Sequence, residues 1–228
     1  MDTKHILSAD VLPEVLDWLS DERVSRFRHE VTQCLSILEW SGLLRKVALN
    51  WIRVEILSEQ KALMLPNSYN EEADKIIMSW SRDRWESILE SKYLENKYLL
   101  DKVTYSLIRV SDQNLAFEIY HRIKAKEASF EQLSWQYGEG NERQRAGLVV
   151  NQRIGEAPKP FHSLFRKLYP GEILKPHQLG KFYVVLSLQQ FNAAQLDEET
   201  QALLLRRELD LWLSSAVDYL CDSLRLKD

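Results

Sequence analysis

The chain has 228 residues, 45% of them hydrophobic, enough for one sizeable core or two smaller ones. Its net charge is −4, with no basic tail and no Lys/Arg block longer than two, so nothing in the charge pattern asks for a nucleic-acid partner. Only 7 glycines and 6 prolines punctuate it, which predicts long helices with few turns.

No stretch approaches the ~20 apolar residues of a membrane span. The N-terminal run from Met1 to Asp10 lacks a positive segment followed by an apolar one, so a cytoplasmic location is expected of the sequence as it stands. Cys34 and Cys221 form no C-x-x-C pair and read as free thiols.

Helical patterning dominates the first hundred residues. Over 8–20, Asp10 can cap, Pro13 sits in the first turn, and Leu12, Val15, Leu16 and Leu19 make one stripe. A second helix is predicted over 22–41, with Gly42 as its stop. A third spans 43–64, with Val47, Trp51, Val54 and Leu57 on its apolar face, and a polar loop follows from Asn67. Two more are predicted over 71–81 and 83–100, marked by Ile76, Ile77 and Trp80, then Trp85, Ile88, Leu89 and Tyr93.

The pattern changes near Lys102. Val103 to Val110 alternates and is rich in β-branched residues, so it reads as a strand. Asp112 can cap a helix to about Lys126, and Ser129 a short one to Tyr137. Strands are predicted over 147–150, 172–175 and 182–188, with a short helix from Pro160 to Leu168 between the first two. A long helix from Asp197 to Leu226 carries Leu203, Leu204, Leu209, Trp212, Leu213, Val217 and Leu220 on one stripe. So much apolar surface must dock on something, and the N-terminal helices are the natural partner.

Few residues point to covalent chemistry. The five histidines, His5, His29, His121, His162 and His177, have no metal-ligand spacing, so neither a metal nor a cofactor is expected. His162 and His177 stand where either could reach the rim of a cleft on the sheet. Phosphate-loop, nucleophile-elbow and zincin motifs do not occur.

Several blocks in series carry a resemblance: Ser106 to Val110, Phe130-Glu-Gln-Leu133 through Tyr137, Arg145-Ala146-Gly147, Ala157 through Phe161, Leu168 through Pro176, and Leu179-Gly180 through Leu186. In order and spacing, over residues 101–191, they resemble the parvulin (PpiC, rotamase) family of peptidyl-prolyl cis-trans isomerases. Helices before and one long helix after resemble SurA- and PrsA-type folding factors, and also leaderless parvulin-like proteins linked to peptide export or maturation.

The resemblance implies an α+β chain. A helical chaperone-like domain over 1–100 is completed by 192–228, and a parvulin-like domain over 101–191 has a four-stranded antiparallel sheet with surrounding helices. It implies binding of unfolded or proline-containing polypeptide, either as a folding factor or as an adaptor for one client or secretion machine.

It also implies a degenerate site. The two family histidines fall on Leu107 and on Phe182 (Tyr183 if the strand shifts by one), and the acidic or thiol position falls on Arg145. The groove methionine becomes Ala157, while the groove phenylalanine is kept as Phe161. A substrate groove of Leu107, Ala157, Phe161, Leu164, Phe182 and Tyr183 is therefore expected, apolar and with weak or absent catalysis.

Overall fold

The computed structural model describes residues 12–60 and 69–224. The chain forms two compact units, one from residues 1–91 with 201–228 and the other from residues 92–200. The expected features over 1–11, 61–68 and 225–228 lie outside the described residues.

The first unit is helical: α1 Pro13–Trp18, α2 Asp21–Val31, α3 Leu35–Trp40, α4 Leu44–Glu59 and α5 Tyr69–Trp85. Two further helices, α6 Leu89–Leu100 and α10 Glu198–Ser223, cross the boundary between the units. Pro13 opens α1, where its missing N–H costs nothing, and Ser20 caps α2 by accepting the Arg23 N–H.

The single helix expected over 22–41 is broken. Thr32–Cys34 winds into a 3-10 turn between α2 and α3, and the Thr32 hydroxyl donates to the Arg28 carbonyl, a side-chain bond that bends helices. Conversely, α5 runs unbroken to Trp85, and its break comes at Glu86–Ile88 rather than near residue 82. The buried residues of α4 are Leu44, Ala48, Ile52, Ile56 and Leu57, so of the expected face Leu57 is buried while Val54 is 47% exposed.

Four tryptophans fill the centre of this unit: Trp18, Trp80, Trp85 and Trp212, whose rings meet edge-on or tilted at 5.0–6.5 Å between centroids. Three of the four have their polar ends tied down from the rim. Glu59 accepts the indole N–H of Trp18 (3.1 Å) and of Trp80 (3.2 Å), and Glu14 accepts that of Trp85 (2.9 Å). The Arg23 guanidinium lies 4.2 Å over the Trp18 ring and pairs with the same Glu59 carboxylate. Trp212, fully buried on α10, has an indole N–H with no acceptor. Neither Cys34 nor Cys221 forms a disulfide.

In the second unit, β1 Lys102–Val110 is followed by α7 Gln113–Lys124, α8 Phe130–Tyr137, β2 Leu148–Arg153, α9 Lys159–Phe165, β3 Ile173–Leu179 and β4 Phe182–Asn192. Asp112 caps α7 by accepting the Leu115 N–H at 2.7 Å. Ser129 and Gln132 make a reciprocal capping box on α8. The four strands are antiparallel in the order β2-β1-β4-β3, so β2 and β3 are the edges.

Strand alternation sorts the side chains onto two faces. Val103, Tyr105 and Leu107 of β1 and Val184, Leu186 and Leu188 of β4 face α9, packing with Phe161, Leu164 and Phe165. Ile108, Val110 and Val185 face the other way, against Ala116, Ile119 and Tyr120 of α7 and Leu133 of α8. The sheet is buried on both faces, the α+β architecture the sequence implied.

Candidate functional site

The α9 face of the sheet is where the expected site residues fall, and β1 supplies its floor. Leu107 sits there because period 2 from Val103 carries it inward. Its N–H donates to the Gly147 carbonyl at 2.8 Å. Gly147 must be glycine: φ is +77°, and a Cβ would lie 2.7 Å from the Leu107 carbonyl and 2.9 Å from the buried Ser134 hydroxyl. Backbone therefore approaches backbone at the position of the first expected site residue.

Four of the expected groove residues are buried. Leu107 is 3% exposed and Phe161 4%, and Ala157 and Leu164 are likewise buried in one cluster. Phe161 and Phe165 stack at 6.1 Å, and Tyr105 meets them at 6.4 and 5.0 Å. These four positions pack in one cluster, with two aromatic rings of α9 against the sheet. Phe182 shares the parity of Val184 and Leu186 and is half-buried. Tyr183 is corrected: it points to the opposite face and packs with the α7 cluster, since one step along a strand reverses the side chain.

Arg145 is exposed, in a 3-10 turn of residues 141–145. The ionised group of that turn that reaches inward is Glu142, whose side chain is 7% exposed and pairs with Arg109 of β1, accepting from its Nε at 2.7 Å. The Arg109 guanidinium is held above its ordinary range, chiefly by that bond. Along the same strand the Tyr105 hydroxyl donates to Gln152 Oε1 at 2.8 Å.

Tyr105, Arg109, Glu142 and Gln152 are thus the polar groups gathered on and beside this face, and sequence reading missed them. The alternation that singled out Leu107 also places 105 and 109 beside it; nothing in the turn's sequence singles out Glu142. His162 is occupied locally, its Nε2 2.9 Å from the Ala157 carbonyl, and His177 is exposed on β3.

Burial pushes the Tyr105 phenol up to about 12, with the Glu142 charge adding and Arg109 opposing. A phenol raised above its unfolded value of 10.0 stabilises the fold fully below that pH. The contribution is lost as pH rises from about 10 to about 12. Absorbance titration at high pH should show a tyrosine that ionises only near pH 12 or together with unfolding of this unit, and Tyr105→Phe should remove that step. A Tyr105→Phe titration identical to the parent's would refute the assignment.

Among the described residues no group of three or more His, Cys, Asp or Glu is placed to hold a metal, and no helix is long and apolar enough to cross a membrane.

Residues 108–190 match the Rotamase family, described as the PPIC-type PPIASE domain. Among solved structures, the foldase protein PrsA from Streptococcus pneumoniae is similar over 92% of this chain and 91% of its own, at 12% identity and a TM-score of 0.50. The peptidylprolyl isomerase PrsA from Bacillus anthracis matches 92% of this chain and 91% of its own, at 19% identity and a TM-score of 0.45. The archaeal Pin of Cenarchaeum symbiosum matches 40% of this chain and 94% of its own, at 28% identity and a TM-score of 0.36. No curated protein sequence matches.

Proposed function

Since residues 108–190 form a PpiC-type peptidyl-prolyl isomerase domain, we propose that the chain is an isomerase-family folding factor that engages unfolded or proline-containing polypeptide with isomerisation weak or lost. Rotation about an X–Pro bond breaks no stable bond. Its barrier is the partial double-bond character of the amide, which leaves the uncatalysed exchange slow, tens to hundreds of seconds. A catalyst holds the proline ring in an apolar pocket and stabilises the twisted amide better than the planar one.

The observation that carries the proposal is the pairing of an apolar side chain with closure at the first expected catalytic position. Leu107 stands where the resemblance puts a histidine, and it is sealed under α9 with Phe161 and Phe165. Leucine and phenylalanine offer no hydrogen bond to a twisting amide. The remaining polar pairs, Arg109–Glu142 and Tyr105–Gln152, are each already satisfied.

A protease-coupled assay of prolyl peptides, scanned across the residue before proline, should give the uncatalysed rate at micromolar protein. Suppression of aggregation of an unrelated unfolded protein should persist in the same sample. A rate raised tenfold, about 1.4 kcal/mol off the barrier, would overturn the loss of isomerisation. Failure to suppress aggregation would remove the folding-factor half.

A further inference from the structure

The sheet unit also carries an open concavity. It is a cleft of about 550 Å³ between the end of α7, the turn that joins α9 to β3, and the start of β3. Leu168, Ile173 and Leu174 give it an apolar floor, and Lys124, Lys167 and Lys175 converge on its rim.

Two of the lysines have an ordinary explanation taken singly. Lys124 closes the last turn of a helix, where a cation suits the macrodipole, and Lys175 beside Pro176 protects an edge strand from pairing. Neither explanation brings three cations onto one hollow. Among the described residues Lys167 and Lys175 have no ion-pair partner, while Lys124 donates to the Tyr120 hydroxyl at 3.3 Å. The single carboxylate in the lining, Glu172, is turned to its own loop, accepting the Tyr169 N–H at 2.9 Å. In a chain of net charge −4, a hollow carrying three lysines against one carboxylate is a local reversal of sign.

We propose that this cleft binds a polypeptide segment in which carboxylates flank an apolar residue. The apolar side chain meets Leu168 and Ile173, and the carboxylates meet Lys167 and Lys175. Size favours a peptide over a free anion, which would occupy a small part of 550 Å³ and leave the apolar floor wet. The segment is held through side chains and not as an added strand, because the β3 ladder shifts register between Leu174 and His177 and Pro176 has no N–H to give. The cleft shares Leu168 and Leu174 with the core under α9, but its lysines lie outside that core, and the proposal does not depend on whether the domain isomerises.

The test is fluorescence anisotropy of the full chain with a fluorescein-labelled, unstructured peptide carrying Glu-Leu-Glu repeats, against its Gln-Leu-Gln counterpart. The Glu peptide should bind at low salt, weaken as salt rises, and exceed the Gln peptide by about tenfold. The double variant Lys167→Glu with Lys175→Glu should lose about tenfold, while Lys46→Glu in the helical unit should lose nothing. Should the double Glu variant melt early, the Lys167→Gln with Lys175→Gln pair is measured instead and should lose a smaller but definite part. Equal binding of the two peptides, or unchanged binding by folded variants, overturns the proposal. So does displacement of the peptide by a single-stranded RNA that binds the same lysines more tightly.

Discussion

Replacing Trp212 by alanine should destabilise the helical unit by about 3–5 kcal/mol, whereas replacing it by phenylalanine should cost about 1 kcal/mol. The difference rests on two features of one side chain. Trp212 is fully buried and meets Trp18, Trp80 and Trp85 at once, so truncation empties the centre of the unit. Its indole N–H, alone among the four, has no acceptor, so phenylalanine removes a desolvated donor along with part of the ring. Urea melts followed by near-ultraviolet circular dichroism measure both variants. Equal losses for alanine and phenylalanine would mean that the N–H is satisfied after all, and a small loss for alanine would mean that the cluster does not organise the unit.

This cluster shows what kind of information the sequence holds. The docking of the last helix follows from its apolar stripe, because Leu209, Trp212, Leu213, Val217 and Leu220 cannot stay in water, and all five are buried. The strand at Val103 to Val110 and the caps at Asp112 and Ser129 are equally local signals, and the structure has them where the residues put them. The α4 face was not legible in the same way. That helix carries apolar residues on more than one side, and only its neighbours decide that Ile52 goes in and Val54 out. The break at Thr32 depends on a hydroxyl choosing a carbonyl one turn back, which a hydrophobic pattern does not record.

The candidate site divides along the same line. Period 2 puts Phe182 and Tyr183 on opposite faces, but only the register of β1 with β4, Leu107 opposite Leu186, decides that Phe182 shares the face of Leu107. Whether the face is open depends on how closely α9 sits on it. The preserved Phe161 reads from sequence as a groove wall. In the structure its ring packs on Tyr105 and Phe165, contacts between strand and helix that the sequence does not record. The pair Arg109–Glu142 joins a strand to a turn 33 residues away, a juxtaposition that no local pattern contains.

Phe161→Ala is the substitution that separates closure from lost chemistry. It should cost about 3–5 kcal/mol, the usual range for emptying a buried phenylalanine site, and leave a space beside Tyr105. Phe161→Leu should cost less and keep the unit folded if the alanine variant is too weak to handle. In either variant the prolyl exchange rate, read by the protease-coupled assay or by magnetisation transfer, should stay at the uncatalysed value. The reason is chemical: opening the face exposes Leu107 and Phe182, and neither can donate to or accept from a rotating amide. An accelerated rate in Phe161→Ala would mean that shape alone suffices, that α9 acts as a plug over a competent surface, and that isomerisation in this chain is blocked rather than lost.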